Sequence, residues 1–229
     1  MSLLNFVKAE LSGWGKLEKI VFPMEILLIV VLSFWIGDNK LALVSAICGI
    51  TYTIFAGKGK ISCYIFGMMG TMIYAYLAFK NALFGNLILY ACYYFPMEII
   101  GILQWKKHLK KDTKVIKKTQ LLPKERFFYF GIAFLITFLG MIILRKIDGA
   151  TPFMDSFTTV FSVLGMLLTV KRCVEQWYIW LVVNALSTIM WVQAYLNGSN
   201  CLATVIMWAT YFILAIYFLV EWKKELKKD

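Results

Sequence analysis

Residues 94–111 read YFPMEIIGILQWKKHLKK, and residues 211–228 read YFILAIYFLVEWKKELKK. Laid side by side without a gap, Tyr94 meets Tyr211, Phe95 meets Phe212, and both segments close on the same W-K-K-x-L-K-K ending. Each is an apolar run that stops at a tryptophan and then turns basic. A helix leaving a bilayer on the positively charged side ends this way, through the aromatic belt and the positive-inside rule, so the endings alone do not require a duplication. The likeness reaches further upstream. Tyr64-Ile65-Phe66 faces Tyr178-Ile179-Trp180, and Gly49 faces Gly165 within a few residues of the same register. A duplicated block of helices accounts for both the endings and the upstream matches.

The composition places those helices in a membrane. Of 229 residues, 61% are apolar and 16% charged, against about 45–50% and about 25% in a soluble domain. A mean hydropathy of +0.73 with 17% aromatics and four prolines excludes a disordered, collagenous or linker-like chain. Apolar runs long enough to span predict eight transmembrane helices, at 21–37, 41–57, 61–79, 83–104, 127–144, 153–170, 177–196 and 201–220. Before them, Leu3, Leu4, Val7, Leu11 and Trp14 share one helical face, which predicts an interfacial segment over 1–20, too polar for a signal peptide. The duplication then divides the chain into an extra helix (21–39), a first three-helix bundle (40–105), a basic loop with a connector helix (106–150), a second bundle (151–222) and a tail (223–229). Three helices reverse orientation and the connector restores it, so the two bundles run parallel.

The formal net charge of +11 would invite nucleic acid on a soluble surface, but here Lys and Arg lie between apolar runs and report topology. With the N-terminus cytoplasmic, the inner segments hold 20 of the 24 basic residues, and the outer loops hold Lys40, Lys80, Arg145 and Lys146. Both termini are therefore predicted inside, with the lipid bilayer as partner and no nucleic acid. The stretch from Lys106 to Arg126 reads as a solvated loop near anionic headgroups or as a docking site for a cytosolic partner. His108 within it has no second ligand nearby. The five cysteines, Cys48, Cys63, Cys92, Cys173 and Cys201, are scattered and read as buried, inert thiols. Neither a metal nor a cofactor is indicated.

Polar residues inside the spans narrow the function. Trp177, Trp180, Asn184, Ser187 and Trp191 recur at three- and four-residue steps on one helical face. Asn184 lies mid-span, where an amide must face protein or a polar cavity. It is either interhelical glue or a ligand contact, and an indole one turn away suits a planar, polar or cationic ring. Tyr90, Tyr94 and Glu98 share a face of the fourth span, with Pro96 as a hinge between them. Glu98 must be protonated, paired or facing water, and takes either a structural role or one toward a substrate or proton. Asp155 and Glu175 lie near helix starts and read as caps. With one His, no acidic cluster and no nucleophile near a base, catalysis is disfavoured.

These residues carry a resemblance. The stretch FMDSFTTVFSVLGMLLTVKRCVEQWYIWLVVNALS (153–187) resembles the D-S…S…E-x-W-x-x-W-x-x-x-N segment of the PnuC family, bacterial transporters of nicotinamide riboside. KISCYIFGMMG (60–70) and YFPMEIIGILQWKKH (94–108) are similar to the corresponding segments of its first half. The likeness covers about 40 to 224. It implies an all-α integral membrane fold related to the SWEET sugar transporters, two three-helix bundles around a connector (3+1+3) plus the N-terminal helix. It further implies uptake in the bacterial inner membrane by facilitated diffusion, alternating access between the bundles, and trapping of the substrate by a cytosolic kinase that need not touch the transporter. A homo-oligomer is left open. Carried onto this chain, the W-x-x-x-N motif falls on Trp180 and Asn184, which would stack on and hydrogen-bond the nicotinamide; Trp177, Ser187, Tyr90, Tyr94 and Glu98 complete the expected substrate-binding set. The chain departs from the family pattern at Gly70, where members often carry Asn, and at Glu98, where they often carry Gln. Relatives transporting thiamine, riboflavin or deoxynucleosides are the alternative within this fold. A non-transporting membrane scaffold is the alternative outside it.

Overall fold

Apolar runs of membrane length become helices because only a helix satisfies its backbone hydrogen bonds internally in lipid. The computed structural model describes residues 10–11, 13–16, 18–36, 40–80, 84–110, 115–146, 151–198 and 202–227, and these are helical apart from turns and two isolated bridges. The helices are α1 (Glu18–Ile36), α2 (Lys40–Gly57), α3 (Cys63–Lys80), α4 (84–106), α5 (Pro123–Lys146), α6 (Pro152–Val170), α7 (Glu175–Leu196) and α8 (Leu202–Leu226). Six are long and apolar enough to cross a membrane, namely α2, α4 from Asn86, α5, α6, α7 and α8 from Thr204. The chain is a multi-pass membrane protein. Helices α1 and α3 have comparable lengths, 19 and 18 residues. Of the predicted interfacial segment, Leu3, Leu4 and Val7 lie outside the described residues, while Trp14 packs edge-on against Phe22 and Phe55.

The chain forms two compact units, Met1–Lys117 and Lys118–Asp229. Within the first, α1 packs on α2, α2 on α3 and α3 on α4; within the second, α5 packs on α6, α6 on α7 and α7 on α8. The α5–α6 seam is tight at Gly140, where a Cβ would stand 2.3 Å from Ser156 Oγ. That hydroxyl donates to the Thr137 carbonyl at 2.8 Å.

The internal repeat is written in backbone hydrogen bonds. In the turn between α2 and α3, the amides of Lys58, Gly59, Lys60, Cys63 and Tyr64 donate to Ile54, Ala56, Phe55, Lys60 and Ile61. In the turn between α6 and α7, Lys171, Arg172, Cys173, Gln176 and Trp177 donate to Leu167, Thr169, Leu168, Cys173 and Val174. Every donor and acceptor of the second set lies 113 residues beyond its counterpart in the first. Gly59 (φ 68) and Arg172 (φ 63) hold the same left-handed position, a conformation natural to glycine and unfavourable for arginine. This register corrects the sequence alignment by one residue, because Tyr64 pairs with Trp177 rather than with Tyr178.

The basic loop is less solvated than its charge implies. Ile116 and Lys118 are buried, and the Ile116 amide donates to Gly59 O at 3.0 Å. In the second unit the Thr119 amide donates to Arg172 O at 2.9 Å, the same carbonyl of the repeated turn. Lys118 pairs with Glu225 at 2.6 Å and lies over the Trp222 ring at 4.9 Å. Glu175 is also reassigned. It caps no helix through its side chain; buried to 3% exposure, its carboxylate accepts from the Leu121 amide at 3.1 Å and from Arg126 at 2.8 Å. Asp155 stays local, accepting from Thr151 Oγ1 at 3.0 Å.

Candidate functional site

Helix α7 carries the predicted aromatic and polar face, and the structure grades its members by burial. Trp177 is 2% exposed, wedged against Phe218 and Trp222 at ring separations of 5.2 and 5.7 Å. It is a core side chain of the second unit. Trp180 is half-buried, and Trp191, farther along, is exposed. The Trp180 indole lies over Gly165, where a Cβ would come within 3.0 Å of two of its ring carbons. Its Nε1 donates to Thr169 Oγ1 at 3.4 Å, and that hydroxyl in turn donates to the Gly165 carbonyl at 2.9 Å. The ring is thus held from α6 by a glycine that admits it and a threonine that orients it.

One turn on, Asn184 is 5% exposed and Ser187 is 6% exposed. Among the described residues neither side chain takes a hydrogen bond; the contact at Asn184 is its backbone carbonyl accepting from Thr188. Buried amides and hydroxyls are normally satisfied. Their remaining capacity is available to a polar ligand beside the Trp180 ring.

Helix α4 carries the other predicted group. Its course is Phe84–Ile88, then a π-helical turn at Leu89–Tyr94, then Phe95–Lys106. Pro96 has no N–H to continue the ladder, and the preceding turn widens so that the Phe95 amide donates five residues back to Tyr90 O. The widened turn gathers Tyr90 and Tyr94, whose rings meet edge-on at 5.0 Å, while Tyr90 stacks on Tyr74 of α3 at 4.2 Å. Glu98, 4% exposed, follows on the regular helix. Its Oε1 accepts from Thr71 Oγ1 at 2.9 Å, and its Oε2 has no partner among the described residues. An ionised carboxylate deep in a span costs about 2.5–3.5 kcal/mol even on the mild insertion scale.

The repeat register relates these two constellations. Counted 113 residues on, Tyr52 corresponds to Gly165, Gly67 to Trp180 and Thr71 to Asn184. A Cβ on Gly67 would stand 2.9 Å from the Tyr52 ring, so the same α2–α3 and α6–α7 contact recurs with the large and small partners exchanged. Glu98 has no acidic counterpart; in the W-K-K alignment it faces Ala215, which is 1% exposed. Each unit therefore presents its own polar group, a carboxyl on Thr71 in the first and an unsatisfied amide beside an indole in the second. Tyr52, Gly67, Thr71 and Thr169 were invisible to spacing arguments, because each acts across a helix pair.

The remaining predictions resolve simply. Cys48, Cys63 and Cys173 are buried as expected, Cys92 on α4 is exposed and corrects that expectation, and Cys201 lies outside the described residues. Burial pushes the Cys173 thiol above its ordinary range, which keeps it protonated and unreactive at neutral pH. A groove of about 370 Å³ along α8, lined by Ile213, Ile216, Tyr217, Val220, Glu221 and Lys224, holds none of the predicted site residues. Among the described residues no His, Cys, Asp and Glu cluster could hold a metal ion.

Comparison with known proteins finds relatives along the whole chain. The family described as nicotinamide mononucleotide transporter matches residues 39–224. The chain is 30% identical to the nicotinamide riboside transporter PnuC of Neisseria mucosa, covering 100% of this chain and 89% of the relative. It is 29% identical to the PnuC protein of the same description from Haemophilus influenzae, covering 100% and 99%. A solved structure described as the crystal structure of the vitamin B3 transporter PnuC superposes with a TM-score of 0.84 at 29% identity, covering 100% of this chain and 99% of that one. With a family model matched over 39–224 and relatives matched along its whole length, the chain belongs to the nicotinamide mononucleotide transporter family, the PnuC-type membrane transporters.

Proposed function

We propose that the chain takes up nicotinamide riboside across the bacterial inner membrane. The observation that carries this reading is its end-to-end likeness to two proteins described as nicotinamide riboside transporters. In this reading Trp180 stacks on the nicotinamide ring, and Asn184 and Ser187 hydrogen-bond the carboxamide or ribose. In the first unit Tyr90, Tyr94 and Glu98 of α4 are the expected substrate-binding residues, and in the second Trp177 supports Trp180 from the core. An indole face and an amide suit a planar pyridinium with polar substituents, the first through cation–π attraction and the second through directional hydrogen bonds. Both termini in the cytoplasm, and so an even number of spans, of which we take eight, accord with the basic residues, 20 of 24 of which fall on one side in that topology. In this reading uptake proceeds by alternating access, with the bundles 40–105 and 151–222 as its moving parts. Net uptake is facilitated diffusion, with a cytosolic kinase trapping the product.

Ligand-dependent thermal stabilisation of the purified chain tests the substrate. A ligand at about 100 times its Kd adds about 2.7 kcal/mol to folded-state stability. Nicotinamide riboside is expected to raise Tm by several degrees, and nicotinamide, thiamine, riboflavin and deoxynucleosides to leave it unchanged. A shift with thiamine, riboflavin or a deoxynucleoside alone would reassign the substrate within the fold. No shift with any of them would favour a non-transporting scaffold.

A further inference from the structure

Glu98 is a buried acid with no cation paired to it among the described residues. It is 4% exposed, Thr71 donates to Oε1 at 2.9 Å, and Oε2 has no partner among the described residues. Gly67 makes the space, since a Cβ there would stand 2.8 Å from Oε1. The titratable groups facing this carboxyl are Tyr52 on α2, Cys63 on α3 and, beside Tyr52, Tyr94 on its own helix. None of them becomes a cation. Lys58, in the turn between α2 and α3, is engaged by Glu18 at 2.8 Å, and Lys80 and Lys106 stand at helix ends.

A carboxylate in such a place stays charged only if a cation neutralises it; otherwise it holds a proton. Nicotinamide riboside carries a fixed positive charge on its pyridinium ring. We propose that Glu98 is the counter-charge for a cationic ring, protonated in the empty transporter and deprotonated when a pyridinium nucleoside binds. The step is an exchange: the carboxyl O–H bond breaks, its proton passes to water, and the ion pair with the ring replaces it. No electrons are transferred. The inference rests on the reading of the chain as a transporter of nicotinamide riboside, and it makes Glu98 the residue that selects substrates by ring charge.

The loaded state then holds one proton fewer than the empty state, so affinity falls as pH falls. It also follows that the neutral 1,4-dihydro form of nicotinamide riboside, nearly the same in shape, binds less well. Titration calorimetry on the full-length chain reads both effects. In two buffers of unlike ionisation enthalpy at about pH 6, nicotinamide riboside is expected to release close to one proton per ligand bound. At about pH 8, where the dihydro form is chemically stable, the cation is expected to bind at least roughly tenfold tighter than the neutral form. Glu98→Gln keeps the shape and a hydrogen-bond partner for Thr71, so it is expected to reduce that ratio severalfold, to what the Trp180 ring face alone supplies, and to abolish proton release. Binding without proton release in the unaltered chain, or a ratio and proton release that survive Glu98→Gln, would overturn the inference while leaving the functional reading intact. No binding of either form would overturn both. The proton count is made on the unaltered chain, so it decides the matter even if the variant does not fold.

Discussion

Trp180→Ala is expected to weaken nicotinamide riboside binding by roughly 30- to 100-fold. The affinity loss follows from the proposed stacking role, since one aromatic ring on a flat heterocycle contributes about 1–3 kcal/mol. Such a ring must be fixed before the ligand arrives, and Trp180 is, seated on Gly165 with its Nε1 donating to Thr169 at 3.4 Å. Stability is also expected to fall, because the half-buried ring packs against the core of the second unit, so affinities are compared on protein verified as folded. Trp180→Phe should recover part of the affinity by keeping an aromatic face while losing the Thr169 bond. Asn184→Ala should cost about tenfold or more by removing a buried amide whose side chain takes no hydrogen bond among the described residues. Calorimetric Kd values for the three variants beside their Tm values check this. A well-folded Trp180→Ala protein that binds with unchanged affinity would remove Trp180 and its neighbours from the site.

Gly101→Ala is expected to destabilise the first unit by about 1–3 kcal/mol, the range for overpacking a well-filled core. A Cβ at residue 101 would stand 2.3 to 2.5 Å from three atoms of the Tyr64 ring. That ring cannot retreat easily, being 0% exposed and lodged edge-on against Trp105 at 5.0 Å. The better helix propensity of alanine, about 1 kcal/mol, offsets only part of the clash. Tyr64→Leu removes the clashing atoms, so the double variant should cost clearly less than the sum of the two single ones. Thermal or denaturant unfolding of the four proteins gives the cycle. Additive costs would show that the 101–64 contact is not what excludes a side chain there.

Much of this was legible before the coordinates. Helix positions followed from apolar length, because in lipid there is little alternative to a helix for such a run. The α7 face followed from helical spacing, and Glu98 stood out because a carboxyl within an apolar span needs a reason. The rest depended on contacts between helices. Matching letters aligned Tyr64 with Tyr178, whereas the repeated hydrogen bonds align it with Trp177, and with that one-residue slip the pairing of Thr71 with Asn184 was hidden. Spacing set Trp177 on the same face as Trp180 and Asn184, but could not show that Phe218 and Trp222 cover it. Glu175 resembled a cap by its place in the chain, although its partners, Leu121 and Arg126, are about 50 residues away. The π-helical turn ahead of Pro96 had no sequence signal beyond the proline itself.

Counterflow in liposomes tests the central claim most directly. Vesicles containing the purified chain and preloaded with unlabelled nicotinamide riboside are given labelled nicotinamide riboside outside. The account predicts transient accumulation of label above the level of empty liposomes, abolished or strongly reduced by Trp180→Ala. Label entry no faster than in protein-free vesicles, from a preparation whose fold is verified, would contradict it.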